Sequence, residues 1–219
     1  MELRKKSILI ALVLGDGSIS VQKRNVKGKV YTYANFEVTH SHKQKEYIEW
    51  KSNLCKSITG RKCEIKSKAV KARIIDNKIT PELQAYRFTC CHKYFRVLHK
   101  WIYKNKKKVF SEKYLKCLDA QGLAIWYMDD GCTYIYKNRE KCFSCELSTH
   151  IPENEAIDLC KYFIKYWDIE FKLHKKAENQ YNLRCNNDEA FKFIRIISPF
   201  VPQCMAYKVK VPGYYNQEC

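Results

Sequence analysis

Two stretches of the chain are apolar all the way round a helix instead of on one face. Ile8-Leu-Ile-Ala-Leu-Val-Leu14 is the first, and Leu123-Ala-Ile-Trp-Tyr-Met128 is the second. A helix of that kind has to be buried on every side. Both stretches end on the same punctuation, Gly15-Asp16-Gly17 and Asp129-Asp130-Gly131. Elsewhere the pattern changes to apolar/polar alternation, which marks half-buried strands, or to the three-and-four spacing of amphipathic helices.

Read in order, the first half predicts a helix over Leu3 to Gly15 and strands over Ser18 to Arg24 and Tyr31 to Thr39. A helix follows from about Lys43 to Thr59, stopped by Gly60. Strand material comes next at Lys62 to Ile75 and Leu83 to Cys90, then a helix over His92 to Tyr103. The second half repeats the grammar. A helix at Ala120 to Met128 precedes strands at Cys132 to Tyr136 and Cys142 to Thr149, and a helix begins after Pro152. Strands at Ile169 to Lys175 and Tyr181 to Cys185 lead into a helix running through Ile197. Short echoes fall at matching places: Thr39-His40 with Thr149-His150, and Tyr86-Arg-Phe-Thr-Cys90 with Tyr181-Asn-Leu-Arg-Cys185. The order αββαββα therefore occurs twice. It predicts an α+β protein of two pseudo-symmetric halves, residues 1–110 and 111–219. Each half carries a twisted antiparallel sheet, and the halves pack through the two apolar helices. Small residues four apart, Ala11 with Gly15 and Ala120 with Ala124, would let those helices approach closely.

Charge narrows the function. Lys and Arg number 41 against 23 Asp and Glu, a net +18, in a chain that is 46% hydrophobic. So much apolar material excludes a disordered basic tail. A folded body with that excess of cations suits a polyanion, nucleic acid before an anionic membrane surface. Arg4, Lys5 and Lys6 ahead of the first apolar run imitate a secretory leader, but no small-residue cleavage site follows and Asp16 interrupts the run. The run is also too short to span a bilayer. The 12 cysteines show no framework spacing, so they read as thiols of a reducing compartment, cytoplasm or organellar matrix. Cys142-Phe-Ser-Cys145, with His150 nearby, imitates a zinc pair. Lying on a strand at odd spacing, its two sulfurs point to opposite faces, and most of the cysteines are expected as small core residues.

The two acid-ended helices carry the chemistry. Packed side by side in one direction, they would bring Asp16 and Asp130 together at the negative ends of both helix dipoles. Carboxylates converging with unpaired helix-end carbonyls, Gly15 and Asp129 included, make a hard-cation site suited to Mg²⁺. The strands offer a reading surface. Ser20, Gln22 and Arg24 alternate along one strand, and Tyr33, Asn35 and Glu37 along its neighbour. Tyr134, Tyr136, Ser144 and Glu146 do the same in the second half. Lys66, Lys68, Arg87, Lys172, His174 and Arg184 add basic reach from the later strands. Such a sheet fits the major groove, where these side chains distinguish base pairs. One sheet per half predicts two adjacent half-sites, and the sequence difference between halves predicts an asymmetric target.

Leu9-Ile-Ala-Leu-Val-Leu-Gly-Asp16-Gly17 and Leu123-Ala-Ile-Trp-Tyr-Met-Asp-Asp130-Gly131 resemble the paired motifs of the LAGLIDADG homing endonucleases, in the monomeric two-motif branch. The resemblance covers nearly the whole chain. Both copies depart from the namesake pattern, at its third position (Ala11, Ile125) and its sixth (Leu14, Met128), but keep the eighth-position acid. The resemblance implies a Mg²⁺-dependent double-strand break in a long DNA site by phosphodiester hydrolysis, with two or three divalent ions shared by Asp16 and Asp130. It implies that the gene is carried by an intron, intein or phage genome, and no flanking splicing domains are evident here. It also implies a basic residue near the site from each half. Lys107 and Lys208 take those places, with Lys108 and Lys210 one register step or two away. An intron-RNA-binding maturase shares the fold and is the alternative reading, followed by a DNA binder that does not cut.

Overall fold

The computed structural model describes residues 2–70, 73–75, 78–80, 83–136 and 142–211. Its elements follow the predicted order: α1 (Leu3–Leu14), β1 (Ser18–Val26), β2 (Lys29–Ser41), α2 (Lys45–Thr59), β3 (Ile65–Val70), β4 (Leu83–Cys91) and α3 (Lys93–Ile102). After them come α4 (Ala120–Asp130), β5 (Gly131–Ile135), β6 (Phe143–Ile151), α5 (Glu153–Trp167), β7 (Lys172–Ala177), β8 (Gln180–Asn186) and α6 (Asn187–Ile197). The sheets are β1-β2-β4-β3 and β5-β6-β8-β7, the same order in both, and their neighbouring strands run antiparallel. The strand predicted from Lys62 to Ile75 is instead two elements, β3 and one arm (Arg73–Ile75) of a small hairpin with Lys78–Thr80. Predicted residues 71 and 72 lie outside the described set. A one-turn helix at Glu112–Leu115 and a 3-10 helix at Gln203–Lys208 were not foreseen. Neither is long enough to show a period in sequence.

By packing, the chain forms two compact units, Asp16–Tyr103 and a second made of Met1–Gly15 with Lys104–Cys219. The repeat divides the sequence near residue 110, whereas packing groups α1 with the second sheet and its helices.

In the Asp16–Tyr103 unit, one face of the sheet is buried under two helices. Ala34, Phe36, Val38, Phe88 and Cys90 line it, and Phe36 stacks on Phe95 of α3 at 4.8 Å between ring centres. Helix α2 turns Tyr47, Ile48, Lys51, Ser52, Cys55 and Thr59 inward. It ends as predicted at Gly60, whose φ of 65° closes the helix in the left-handed region.

In the other unit, the apolar helices are buried from Ser7 to Leu14 and from Gly122 to Met128. Hydropathy alone orders both, since neither has a polar face to turn outward. They pack on each other in the same direction: Ser7 meets Gly122 near their starts, and Gly15 meets Asp129 at their ends. Close approaches are made at Gly15 and Gly122, and Ala11 and Ala124 are wholly buried. Ala120 is only half-buried, and Ser7 Oγ takes the space over Gly122, hydrogen-bonded to Asp119 Oδ1 at 2.6 Å. Asp119 in turn caps α4 by accepting from Gly122 N at 2.9 Å. A methyl group added at Gly15 would stand 2.6 Å from Asp129 Cβ and Cγ. Gly15→Ala is therefore expected to lower stability by about 2–3 kcal/mol through overpacking. Thermal unfolding of wild type and variant checks this, and an unchanged Tm would mean that the helices do not meet there. Among the described residues no helix is long and apolar enough to cross a membrane.

Candidate active site and nucleic-acid interface

Helix α4 ends on Asp129-Asp130, both half-buried, and Gly131 begins β5. Gly131 sits hard against the ring and carbonyl of Tyr127, leaving no room for a side chain. This is why a glycine follows the acid here: the need is space, at an ordinary extended φ of −85°. Asp130 Oδ2 accepts from Trp126 Nε1 at 3.1 Å, one helical turn back. The Gly15 end of α1 lies on Asp129, and Asp16 is the next residue in the chain.

Each helix end is closed by a lysine. Lys108 Nζ donates to Leu14 O at 3.2 Å and to Gly15 O at 2.6 Å. Lys208 Nζ donates to Gly131 O at 2.6 Å. The last carbonyls of a helix have no intrahelical partner and carry its negative end, so a cation there serves both needs. Local structure explains which lysine reaches. Asn105 and Lys106 both have positive φ, forming a tight turn between Tyr103–Lys104 and Lys107–Lys108. Successive side chains of such a pair point to opposite sides. Lys108 turns in to α1, while Lys107 is exposed beside a cleft of about 750 Å³ that Gly15, Lys108 and Asp130 also line. On the other side, Lys208 ends the 3-10 helix and Lys210 is exposed. Lys108→Met is expected to cost about 1–2 kcal/mol, and Lys107→Met to stay within about 0.5 kcal/mol of wild type. Urea unfolding of the two variants separates them. The Gly15 carbonyl, expected as a metal ligand, accepts from Lys108 and keeps its second lone pair.

Asp16 has neighbours that the sequence reading passed over. His40 Nδ1 stands 3.7 Å from Asp16 Oδ2 and 3.1 Å from Gln44 Oε1, and His40 Nε2 is 3.0 Å from Lys51 Nζ. An ammonium has no acceptor, so Lys51 donates to Nε2 and the ring proton sits on Nδ1, facing Gln44 and Asp16. Lys51 is wholly buried, and its ammonium lies 4.5 Å from the centre of the Tyr47 ring. The Thr-His echo at residues 39–40 and 149–150 hinted at this histidine. The copies differ, because His150 is exposed at a φ of 48°.

The registers put all the predicted reading residues of each sheet on one face. Ser20 pairs with Asn35, Gln22 with Tyr33 and Arg24 with Tyr31, while Ser18 pairs with Glu37. Arg87 pairs with Lys66, and Ala85 with Lys68, on that same side. Arg87 also reaches Glu37 at 3.3 Å. In the second sheet, Tyr134 pairs with Ser144, Glu146 with Arg184, Arg184 with Lys172 and Asn182 with His174. Tyr136 reaches Ser144 Oγ at 3.1 Å through its hydroxyl.

Two of these residues are not surface readers. Ser144 is fully buried and Glu146 is 1% exposed. Glu146 lies beneath the others and accepts from His174 Nδ1 at 2.7 Å, Asn182 Nδ2 at 2.8 Å, and Arg184 at 2.8 and 2.5 Å, with Lys176 Nζ at 3.4 Å. Burial pushes its carboxyl up, but the hydrogen bonds from Asn182, Arg184 and His174 outweigh that and hold it down to about 2. Arg184 also stacks over the Tyr134 ring at 4.9 Å. Alternation in sequence locates a face; it cannot tell an outer side chain from one covered by its longer neighbours.

A two-helix core joined to two antiparallel sheets of one strand order, with an acid closing each helix, defines a LAGLIDADG-type nuclease architecture. Residues 6–193 match the LAGLIDADG DNA endonuclease family, and the chain belongs to that family. Among similar proteins, "Protein RecA" of Mycolicibacterium chitae is 34% identical over 220 residues, covering 96% of this chain and 47% of that protein. The chain thus spans about half the length of that relative. "Probable intron-encoded endonuclease 1" of Wickerhamomyces canadensis is 25% identical over 210 residues, 94% of this chain and 83% of that one. Among solved structures, the homing endonuclease I-WcaI bound to its DNA recognition sequence superimposes with a TM-score of 0.75 at 22% identity, covering 96% of this chain and 88% of that one. I-SmaMI bound to uncleaved DNA target in the presence of calcium ions gives 0.53 at 13%, covering 89% and 84%. These likenesses establish the shared fold.

Proposed function

We propose that this chain is a monomeric, site-specific homing endonuclease that makes a double-strand break in a long, asymmetric DNA duplex, with Mg²⁺ as its cofactor. One observation carries the reading. The two buried helices lie side by side in the same direction with their C-terminal ends together, Gly15 on Asp129, and an acid, Asp16 or Asp130, lies one peptide bond beyond each. A pair of carboxylates at two negative helix ends is an all-oxygen donor set, which fits a hard divalent cation.

Bound there by Asp16 and Asp130, such a cation supplies activation of water and stabilisation of the departing 3′ oxygen. The protein's own groups do the rest. Lys108 and Lys208 hold the helix-end carbonyls, which fixes where the acids stand, and they place positive charge where the phosphorane becomes more negative. Lys107, with its amine in solvent, is a phosphate contact. The cationic faces of the two sheets bind the duplex and read base edges through Gln22, Arg24, Asn35, Arg87 and Arg184. The faces carry different residues, so the half-sites differ. Both acids belong to one chain, so no second copy is needed to complete the site.

The test is selection from a duplex library spanning random and genomic sequences, binding in Ca²⁺ and then shifting to Mg²⁺. Discrete cuts in both strands at one asymmetric sequence are the expected result. Tight selection without cuts would overturn the nuclease in favour of a DNA binder. Failure to select any duplex, with capture of intron RNA, would establish the maturase instead.

A further inference from the structure

Three cysteines of the Asp16–Tyr103 unit converge inside it. Cys55 of α2, Cys63 of the following loop and Cys90 of β4 are all buried, with sulfurs within 4.8 Å of one another. We propose that Cys55, Cys63 and Cys90 form a structural zinc site that ties α2 and its loop to the central strand of the first sheet.

The twin half shows what this place otherwise holds. Gly60 and Asp168 are the left-handed residues that end α2 and α5. Counting five back and three forward from each, Cys55 corresponds to Phe163 and Cys63 to Phe171; Cys90 corresponds to Cys185 by the strand echo. Phe163 and Phe171 are buried with ring centres 4.6 Å apart, and both pack against Phe193. Where the second half joins helix to sheet with aromatic rings, the first brings thiols to the same point.

The chemistry suits a borderline-soft ion. Zinc–thiolate bonds of about 2.3 Å put tetrahedral sulfurs about 3.8 Å apart, inside the 4.8 Å within which the three sulfurs already lie. The three thiolates would fill three of the four tetrahedral positions. Lys56 interacts electrostatically with Cys63, offsetting part of the single negative charge that three thiolates and Zn²⁺ leave. The spacing, seven residues and then twenty-six, has no paired Cys-x-x-Cys, so a sequence scan for zinc motifs misses it.

The test uses the full chain without an affinity histidine tag, purified under reducing conditions with zinc present. Elemental analysis is expected to find one zinc per chain, retained in Cys145→Ser and lost in Cys55→Ser and Cys63→Ser. Because those two variants can fail to fold, the wild type is also exchanged with Co²⁺. A thiolate-to-cobalt charge-transfer band with the intensity of three sulfurs is expected there. Metal-free protein with all 12 thiols titratable would overturn the proposal in favour of plain packing. So would a disulfide between any two of the three cysteines, or zinc retained after Cys63→Ser. Mg²⁺ and Ca²⁺ do not compete for thiolates, so this outcome is independent of the nuclease reading.

Discussion

Asp130→Asn is expected to reduce cutting of both strands by at least about a thousand-fold while target binding in Ca²⁺ survives, and Asp16→Asn is expected to do the same. An amide has nearly the shape of the carboxylate, so packing at the helix ends is kept; Trp126 Nε1 can still donate to the side-chain oxygen at position 130. What disappears is one negative charge from the paired site proposed to hold a dication, and losing one electrostatic element of that kind typically costs two to three orders of magnitude or more. Binding should stay equal or tighten, because each variant removes an anion from a surface that meets phosphates. The decisive measurement is single-turnover cleavage of the selected duplex in Mg²⁺, with binding followed in parallel. Cleavage within tenfold of wild type in either variant would show that the acid is not a ligand. Loss of cleavage together with loss of binding would point to damage at the helix junction instead.

The largest stability effect belongs to Glu146. Glu146→Ala is expected to cost about 3 kcal/mol, since it removes a 1%-exposed carboxylate around which His174, Asn182 and Arg184 are organised. The partners are partly exposed and recover some hydration, which keeps the loss toward the lower end of the range for breaking a buried pair. The same group makes stability depend on pH. Its folded pKa is depressed from 4.5 to about 2, so its contribution is complete above about 4.5 and is lost as pH falls through about 2. A depression of that size corresponds to about 3 kcal/mol. Urea unfolding across that window should show the acid-side slope in wild type and a shallower one in Glu146→Ala. Equal slopes would mean that Glu146 is not ionised among those partners. Binding offers a second signature: with Arg184 no longer tethered, discrimination among targets should fall more than affinity for random duplex.

The repeated architecture was legible from residue order alone. Period-two and period-3.6 patterns depend on local backbone geometry, so they placed β1, β2, α2 and the strands and helices of the second half within a few residues. The two all-apolar helices could only be interior, and the acid-glycine endings marked the place from which the proposed site is built. Net charge, a property of composition, pointed to nucleic acid before any coordinate was known.

Other features depend on distance between residues far apart in the chain, which no local pattern encodes. Lys107 and Lys108 are equivalent in sequence, and only a turn with two positive-φ residues sends the second to α1. Ser144 and Glu146 sit on the predicted face, yet neighbours on β5, β7 and β8 cover them. His40 and Lys51 stand behind Asp16 because α2 folds back over β2. The three sulfurs gather because a helix, a loop and a strand close on one point. Periodicity reports which side of an element is apolar; which side chains meet, and which are hidden, follows from packing between elements separated by tens of residues.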